Sequence, residues 1–144
     1  YSEPLGLVFK EEDGTTKPVI MGAYGIGLGR LMGTVVELLS DEKGIVWPKS
    51  VAPYDATLIS INANDKADKL YSRLVEENID VLYDDREVGA GEKLNDADLI
   101  GIPVRLVVSG KTEDKIEWKE RESKETELLT LEEVIKRLKK DQTL

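Results

Sequence analysis

Apolar positions along the chain change period several times, and each change marks an element. Val8 to Glu12 and Lys17 to Met21 flank Asp13-Gly14, a dipeptide suited to a hairpin turn, and predict two short strands. Leu31, Val35, Leu38 and Leu39 recur near a 3.6-residue period and predict a helix over 31–39, running out at Ser40 to Gly44. Ile45 to Pro53 is apolar but broken by Pro48 and Pro53, which cannot donate to a sheet ladder, so it reads as a connector.

Beyond Pro53 strand and helix periods alternate. Asp55 to Ile61 reads as a strand. Asn64 or Asp65 can cap a helix that turns Ala67, Leu70, Tyr71, Leu74 and Val75 inward and stops at Asn78. Ile79 to Tyr83 is the next strand, and the polar loop Asp84 to Gly91 leads to a helix carrying Leu94, Ala97, Leu99 and Ile100. Gly101 ends it, and Pro103 opens the strand Val104 to Ser109. Ile116 to Arg121 and Glu125 to Leu129 form a strand pair. Thr130-Leu131-Glu132-Glu133 is a capping box for a closing helix whose inner face is Leu131, Val134, Ile135 and Leu138. The order β-α-β-α-β-β-β-α predicts an α/β domain, a mixed five-stranded sheet flanked by three helices and preceded by a strand-helix piece.

Composition narrows the chemistry. The 144 residues are 40% hydrophobic and 34% charged with five prolines, enough apolar content for a core. Cysteine and histidine are both absent, which excludes disulfides, thiolate or imidazole metal sites and histidine-based catalytic triads within the chain. No apolar run approaches the roughly 20 residues of a membrane span, so a membrane is not an expected partner and the expected location is the cytoplasm. DNA is not an expected partner either. The chain opens on Tyr1-Ser2-Glu3-Pro4 without an initiator Met, and is expected to be a piece of a longer protein. A net charge of −9, from 29 acidic and 20 basic residues, opposes sequence-independent binding to a polyanion. An RNA role must then rest on local contacts.

Two segments could carry such contacts. In Gly22 to Arg30, the glycines at 25, 27 and 29 let the backbone approach another group closely, and Arg30 follows at the mouth of a helix. Its guanidinium could stack on a base or clasp a phosphate. The spacing matches neither a P-loop nor a Rossmann fingerprint, and a glycine strand packed on a helix, with Arg30 capping it, explains it equally. The second segment, Asp84 to Gly91 and the helix after it, lies where a strand hands over to a helix, an edge at which open α/β sheets bind ligands. Asp84, Asp85 and Arg86 can address base edges, and Tyr83 or Tyr54 could stack on an unpaired base. A solvated turn with Asp85 as helix cap is the plainer account. Adjacent Asp84 and Asp85 are expected to pair with Arg86, and no metal site is expected.

The stretch Val19 to Leu31, with Gly22-Ala23-Tyr24-Gly25-Ile26-Gly27-Leu28-Gly29-Arg30, resembles motif 3 of class II aminoacyl-tRNA synthetases in the form found in prolyl-tRNA synthetases. Tyr1-Ser2-Glu3, the segment Asp41 to Pro48 with Ala52-Pro53-Tyr54, Asp84-Asp85-Arg86, and Asp96 to Pro103 resemble the same family in the same order. The sequence departs from that pattern at Ala23, at Gly29 and at Gly89-Ala90, where an Arg-Pro pair is usual.

The resemblance implies that 1–46 is the end of a catalytic domain, 47–53 a connector and 54–144 an anticodon-binding domain. It implies that Arg30 is the catalytic motif 3 arginine and that Gly25, Gly27 and Arg30 bind ATP. It assigns Asp84, Asp85, Arg86, Glu87, Lys93 and Asp96 to the anticodon of proline tRNA. In a whole enzyme, proline would attack ATP at the α-phosphorus and pass to the tRNA terminal ribose, with Mg²⁺ assisting and a homodimer as the working form. The chain alone is expected to be inactive, lacking the other two class motifs. A sister threonyl, histidyl or glycyl synthetase, or a non-catalytic nucleic-acid- or protein-binding module of similar fold, is the alternative.

Overall fold

The computed structural model describes residues 1–141, which form two compact units, Tyr1–Leu31 and a second that begins at Met32. In the first, β1 (Val8–Lys10) pairs antiparallel with β2 (Thr16–Pro18). The turn between them is held by Asp13, whose Oδ1 accepts bonds from the Thr15 amide at 2.9 Å and the Thr15 hydroxyl at 2.6 Å. The helix α1 (Leu28–Leu38) starts three residues earlier than its apolar pattern predicts, and the unit boundary falls inside it.

The second unit is built on one sheet. Its strands are β5 (Ala56–Ile61), β6 (Val81–Asp84), β7 (Val104–Ser109), β8 (Ile116–Glu120) and β9 (Glu127–Leu129). They lie in the order β6-β5-β7-β8-β9, with β5 parallel to both neighbours and β8 and β9 antiparallel. Helices α2 (Asn64–Glu76), α3 (Ala90–Ile100) and α4 (Leu131–Asp141) complete the expected mixed five-stranded architecture. β5 is covered on both faces, so it reads as a nearly continuous apolar run rather than an alternation.

The two faces have different cores. Ala56, Leu58, Leu106 and Trp118 pack with Leu70 and Leu74 of α2 and with Val134 and Leu138 of α4. Ile59 and Val107 meet Ala97 and Leu94 of α3, which covers the opposite face. α4 begins at the expected capping box: the Glu133 carboxylate accepts from the Thr130 amide at 2.8 Å, and the Thr130 hydroxyl accepts from the Glu133 amide at 3.4 Å.

Three local expectations are corrected. Neither Asn64 nor Asp65 caps α2; its N-cap is Ala63, and the Asn64 side-chain Oδ1 instead accepts a bond from the Ser60 hydroxyl. Tyr71 and Val75 are exposed, because the buried stripe of α2 is Ala67, Leu70 and Leu74. Leu99 and Ile100 are likewise 59% and 40% exposed, while Lys93 sits at 3%. α3 presents Lys93 and Ala97 to the sheet, and its apolar C-terminal residues turn outward.

The stretch from Ser40 to Pro53, read as a helix end and then a connector from Ile45, contains elements too short to show a period. β3 (Ser40–Asp41) and β4 (Gly44–Ile45) form a small antiparallel hairpin, followed by one 3-10 turn at Lys49–Val51. The segment is stapled to the sheet domain. Asp41 accepts bonds from Arg121 Nη1 at 2.9 Å and Nη2 at 2.7 Å, and the Trp47 indole N–H donates to the Ile100 carbonyl at 3.0 Å.

The Arg121 guanidinium holds the Asp41 carboxyl well below the usual carboxylate range. A carboxyl whose pKa is depressed on folding stabilises the protein above its unfolded value of about 4. That contribution disappears as pH falls through the lower folded value. Thermal melts of wild type and Asp41→Asn should therefore differ by a constant interval above about pH 5, and the interval should shrink below about pH 4. A pH-independent interval would show that the charge on Asp41 contributes nothing.

Candidate nucleic-acid interface

The site lies at the carboxyl end of the parallel strands β5 and β6, where β6 passes into α3. Its organising group is Lys93. The first turns of α3 aim this side chain back under the sheet edge, where its ammonium donates to the Ser60 carbonyl at 2.9 Å and the Asp84 carbonyl at 3.1 Å. The ammonium also lies 4.0 Å from the Asp84 carboxylate. Its aliphatic stem takes the place of a core residue while the charge satisfies carbonyls near the ends of two strands.

Asp84, largely buried, in turn holds Arg86. Arg86 donates through Nε at 2.9 Å and Nη2 at 2.8 Å to the two carboxylate oxygens, and its backbone amide reaches Oδ1 at 3.2 Å. Nη2 also donates to Asp96 at 2.7 Å, one α3 turn beyond Lys93. The paired guanidinium lowers the Asp84 pKa, and the two carboxylates raise that of Arg86. Two-point pairing with a carboxylate fixes the plane of a guanidinium as well as its position. Arg86 is therefore oriented before any ligand arrives, and Nη1 takes no part in these bonds.

Of the residues singled out in this loop, Asp84, Arg86, Lys93 and Asp96 converge. Asp85 and Glu87 are exposed and stand outside the ion network among the described residues. Tyr83 is already engaged: its ring stacks on Tyr71 with centroids 5.4 Å apart, and its hydroxyl donates to Asp68 at 2.8 Å. Burial and Asp68 push the Tyr83 phenol pKa up. Tyr54 remains exposed.

Two cavities adjoin the network. One of about 420 Å³ is walled by Ser60, Asn62, Asn64, Gly89, Arg86 and Lys93. The other, about 340 Å³, lies between α3 and the β5–β6 edge, with Thr57, Leu82, Leu99 and Ile100 in its walls. Sequence reasoning named Arg86 and Lys93 but missed Ser60, Asn62, Thr57 and Leu82 as lining residues. Only the rule that ligands gather at the carboxyl edge of parallel strands pointed toward Ser60 and Asn62.

In the first unit, Arg30 is exposed on the opening turn of α1. Its guanidinium lies against Gly27, where a Cβ would meet Nε and Nη2 at 3.0 Å, so Gly27 makes room for it. Gly25 has nothing within 4 Å of an added Cβ. Two basic residues of α4 have structural partners: Arg137 pairs with Glu127 and lies 5.5 Å over the Trp118 ring, and Lys139 pairs with Glu77. Among the described residues no group of three or more acidic side chains is placed to hold a metal ion, and no helix is long and apolar enough to cross a membrane.

Comparison with known proteins bears on this arrangement. A family model described as "Anticodon binding domain" matches residues 51–141. The chain is 44% identical over 145 residues to the "Proline--tRNA ligase" of Thermoanaerobacter sp. (strain X514), covering 96% of this chain and 25% of that protein. It is 43% identical over 144 residues to that of Dehalococcoides mccartyi (strain ATCC BAA-2100), covering 95% of this chain and 25% of the relative. The Staphylococcus saprophyticus protein of the same name is 47% identical over 141 residues, covering 94% and 25%. The chain thus spans about a quarter of the length of the curated relatives it matches. With a family model over most of its length and the expected five-stranded fold, the chain belongs to the anticodon-binding domain family.

Proposed function

We propose that this chain is part of a proline–tRNA ligase, with 54–144 reading the anticodon of proline tRNA, 47–53 connecting, and 1–46 closing the catalytic domain. The observation that carries the reading is the pre-oriented Arg86, clasped by Asp84 and Asp96 at the carboxyl edge of the sheet and backed by buried Lys93. The likeness to ligases extends through the motif 3 segment as well as the anticodon-binding domain, since the alignment covers 96% of the chain. That favours a ligase over a non-catalytic module of similar fold.

The residues would act as follows. Arg86 presents guanidinium N–H donors to a guanine edge or a nearby phosphate without first losing side-chain freedom. Asp84 and Asp96 hold its plane, and Lys93 holds Asp84. Asp85 and Glu87, exposed on the same loop, can accept from base amino groups. A few oriented contacts of this kind suit a chain of net charge −9, because base edges rather than phosphates carry specificity. In the first unit, Arg30 would offset the negative charge of ATP beside Gly25 and Gly27. Mg²⁺ would accompany that nucleotide and, by charge, ease attack on its α-phosphorus; the described residues of this chain offer it no cluster of ligands. A homodimer in the cytoplasm is the proposed setting.

Arg86→Ala tests the reading. Affinity for a proline anticodon stem-loop, measured by fluorescence anisotropy, should fall roughly tenfold, and a mismatched stem-loop should lose much less. Equal loss for matched and mismatched RNA would make Arg86 a general phosphate contact. No loss, with the fold intact, would remove it from the interface.

A further inference from the structure

The cavity between α3 and the β5–β6 edge has an uneven lining. Leu82, Ala97, Leu99 and Ile100 make most of it apolar, and half-exposed Arg86 and Asp96 stand beside them. The charged groups of the lining, Asp84, Arg86, Lys93 and Asp96, pair with one another, whereas one further polar group in the wall does not. Thr57 lies in register with Leu82 across the two strands and is 3% exposed. Its hydroxyl oxygen has no hydrogen-bond partner among the described residues. Buried hydroxyls are as a rule satisfied, and one left alone costs stability that a valine of the same shape would not. Leu99 and Ile100, both exposed, add apolar surface to the same cavity lining.

We propose that this cavity receives the edge of one unpaired nucleobase of the anticodon loop, with Thr57 as the group that reads it. The inference rests on the anticodon reading above and adds a pocket to it. Single-stranded RNA is recognised by bases splayed out of the stack, their flat faces laid on apolar or aromatic groups and their edges hydrogen-bonded. Leu82, Leu99 and Ile100 supply the apolar contact. Thr57 supplies a hydroxyl that both donates and accepts, and so can complement a ring N–H or a carbonyl oxygen. Arg86, whose plane is held by Asp84 and Asp96, is close enough in the lining to meet the same nucleotide. About 340 Å³ falls at the lower end of the roughly 300–1,000 Å³ typical of small-ligand pockets, suited to one heterocycle. The Thr57 oxygen is covered in the free protein, so entry requires side chains of the cavity lining to move.

Thr57→Val separates this role from a structural one, because the two make opposite demands. Removing an orphaned hydroxyl should raise the melting temperature by a degree or more. The same change should weaken the matched anticodon stem-loop by roughly tenfold, as loss of one base-reading hydrogen bond does. Leu99→Ser, at an exposed position, should leave the melting temperature nearly unchanged and also weaken the matched stem-loop. If wild type fails to distinguish matched from mismatched stem-loops, the anticodon reading itself falls and takes the pocket with it. If wild type discriminates while both variants bind within twofold of it, the pocket alone is refuted and the base contacts lie elsewhere on the loop.

Discussion

Gly101→Ala should destabilise the protein by about 3 kcal/mol or more and release the segment from Ser40 to Ala52. Gly101 ends α3 in the left-handed conformation, with φ at +79°. An L-residue there costs roughly 1–2 kcal/mol before any contact is considered. The larger effect is steric. A Cβ on Gly101 would lie 1.8 Å from the Ile45 carbonyl oxygen, and backbone cannot rotate out of the way. To accommodate it, β4 must leave α3.

That movement would break the bond from the Trp47 amide to the Gly101 carbonyl at 3.2 Å and the indole bond to Ile100. It would also part Gly44 from the backbone of Leu99, another contact with no room for a Cβ. At 144 residues, 3 kcal/mol corresponds to a fall in melting temperature of roughly 10 °C. Trp47 emission should shift to the red, and amide exchange should speed up over 40–52. Gly110→Ala is the control: a Cβ there meets nothing within 4 Å, so its effect should stay within about 0.5 kcal/mol.

Lys93→Met is expected to cost about 2–3 kcal/mol in urea denaturation, through a different route. Methionine matches the length of the lysine stem and keeps the packing against the sheet. What disappears is the donor shared by the Ser60 and Asp84 carbonyls, and a buried acceptor left without a partner costs about 1–3 kcal/mol. The Asp84 carboxylate loses its cationic neighbour at the same time, so the base on which Arg86 is clamped loosens. Matched stem-loop binding should fall at temperatures where the variant is still fully folded. A Lys93→Met protein as stable as wild type would show that water replaces the ammonium at no cost. The two variants act at opposite ends of one helix. Gly101 fastens its C-terminal end to the hairpin, and Lys93 fastens its N-terminal half to the strands.

Local chemistry was legible wherever it depended on residues close in sequence. The capping box of Thr130 and Glu133 forms as read, because both partners sit within one turn. Gly101 was legible as a helix stop for the same reason. In the site, Asp84 and Arg86 are two residues apart and pair as expected, while Asp96 joins them only because α3 brings position 96 back over the loop. Lys93 was marked as a residue for RNA contact, and the structure buries its side chain against the Ser60 and Asp84 carbonyls. A lysine at a core position breaks the apolar periodicity, so the pattern read Leu94 and Ala97 inward correctly but added Leu99 and Ile100 and left out Lys93.

By itself, the sequence determined the order and kind of the elements from β5 to α4, since each rests on its own periodicity and end signals. It also determined the motif pattern that ties the chain to its family. The tertiary structure decided which strand lies beside which, placing β5 between β6 and β7, because pairing is a competition among distant segments with similar local preferences. It decided that Arg121 would fasten Asp41, 80 residues away. It also decided that Thr57, unremarkable in a strand of apolar neighbours, would line a cavity with its hydroxyl covered and without a partner among the described residues. Such contacts depend on which surfaces close on one another, and no short window of sequence carries that information.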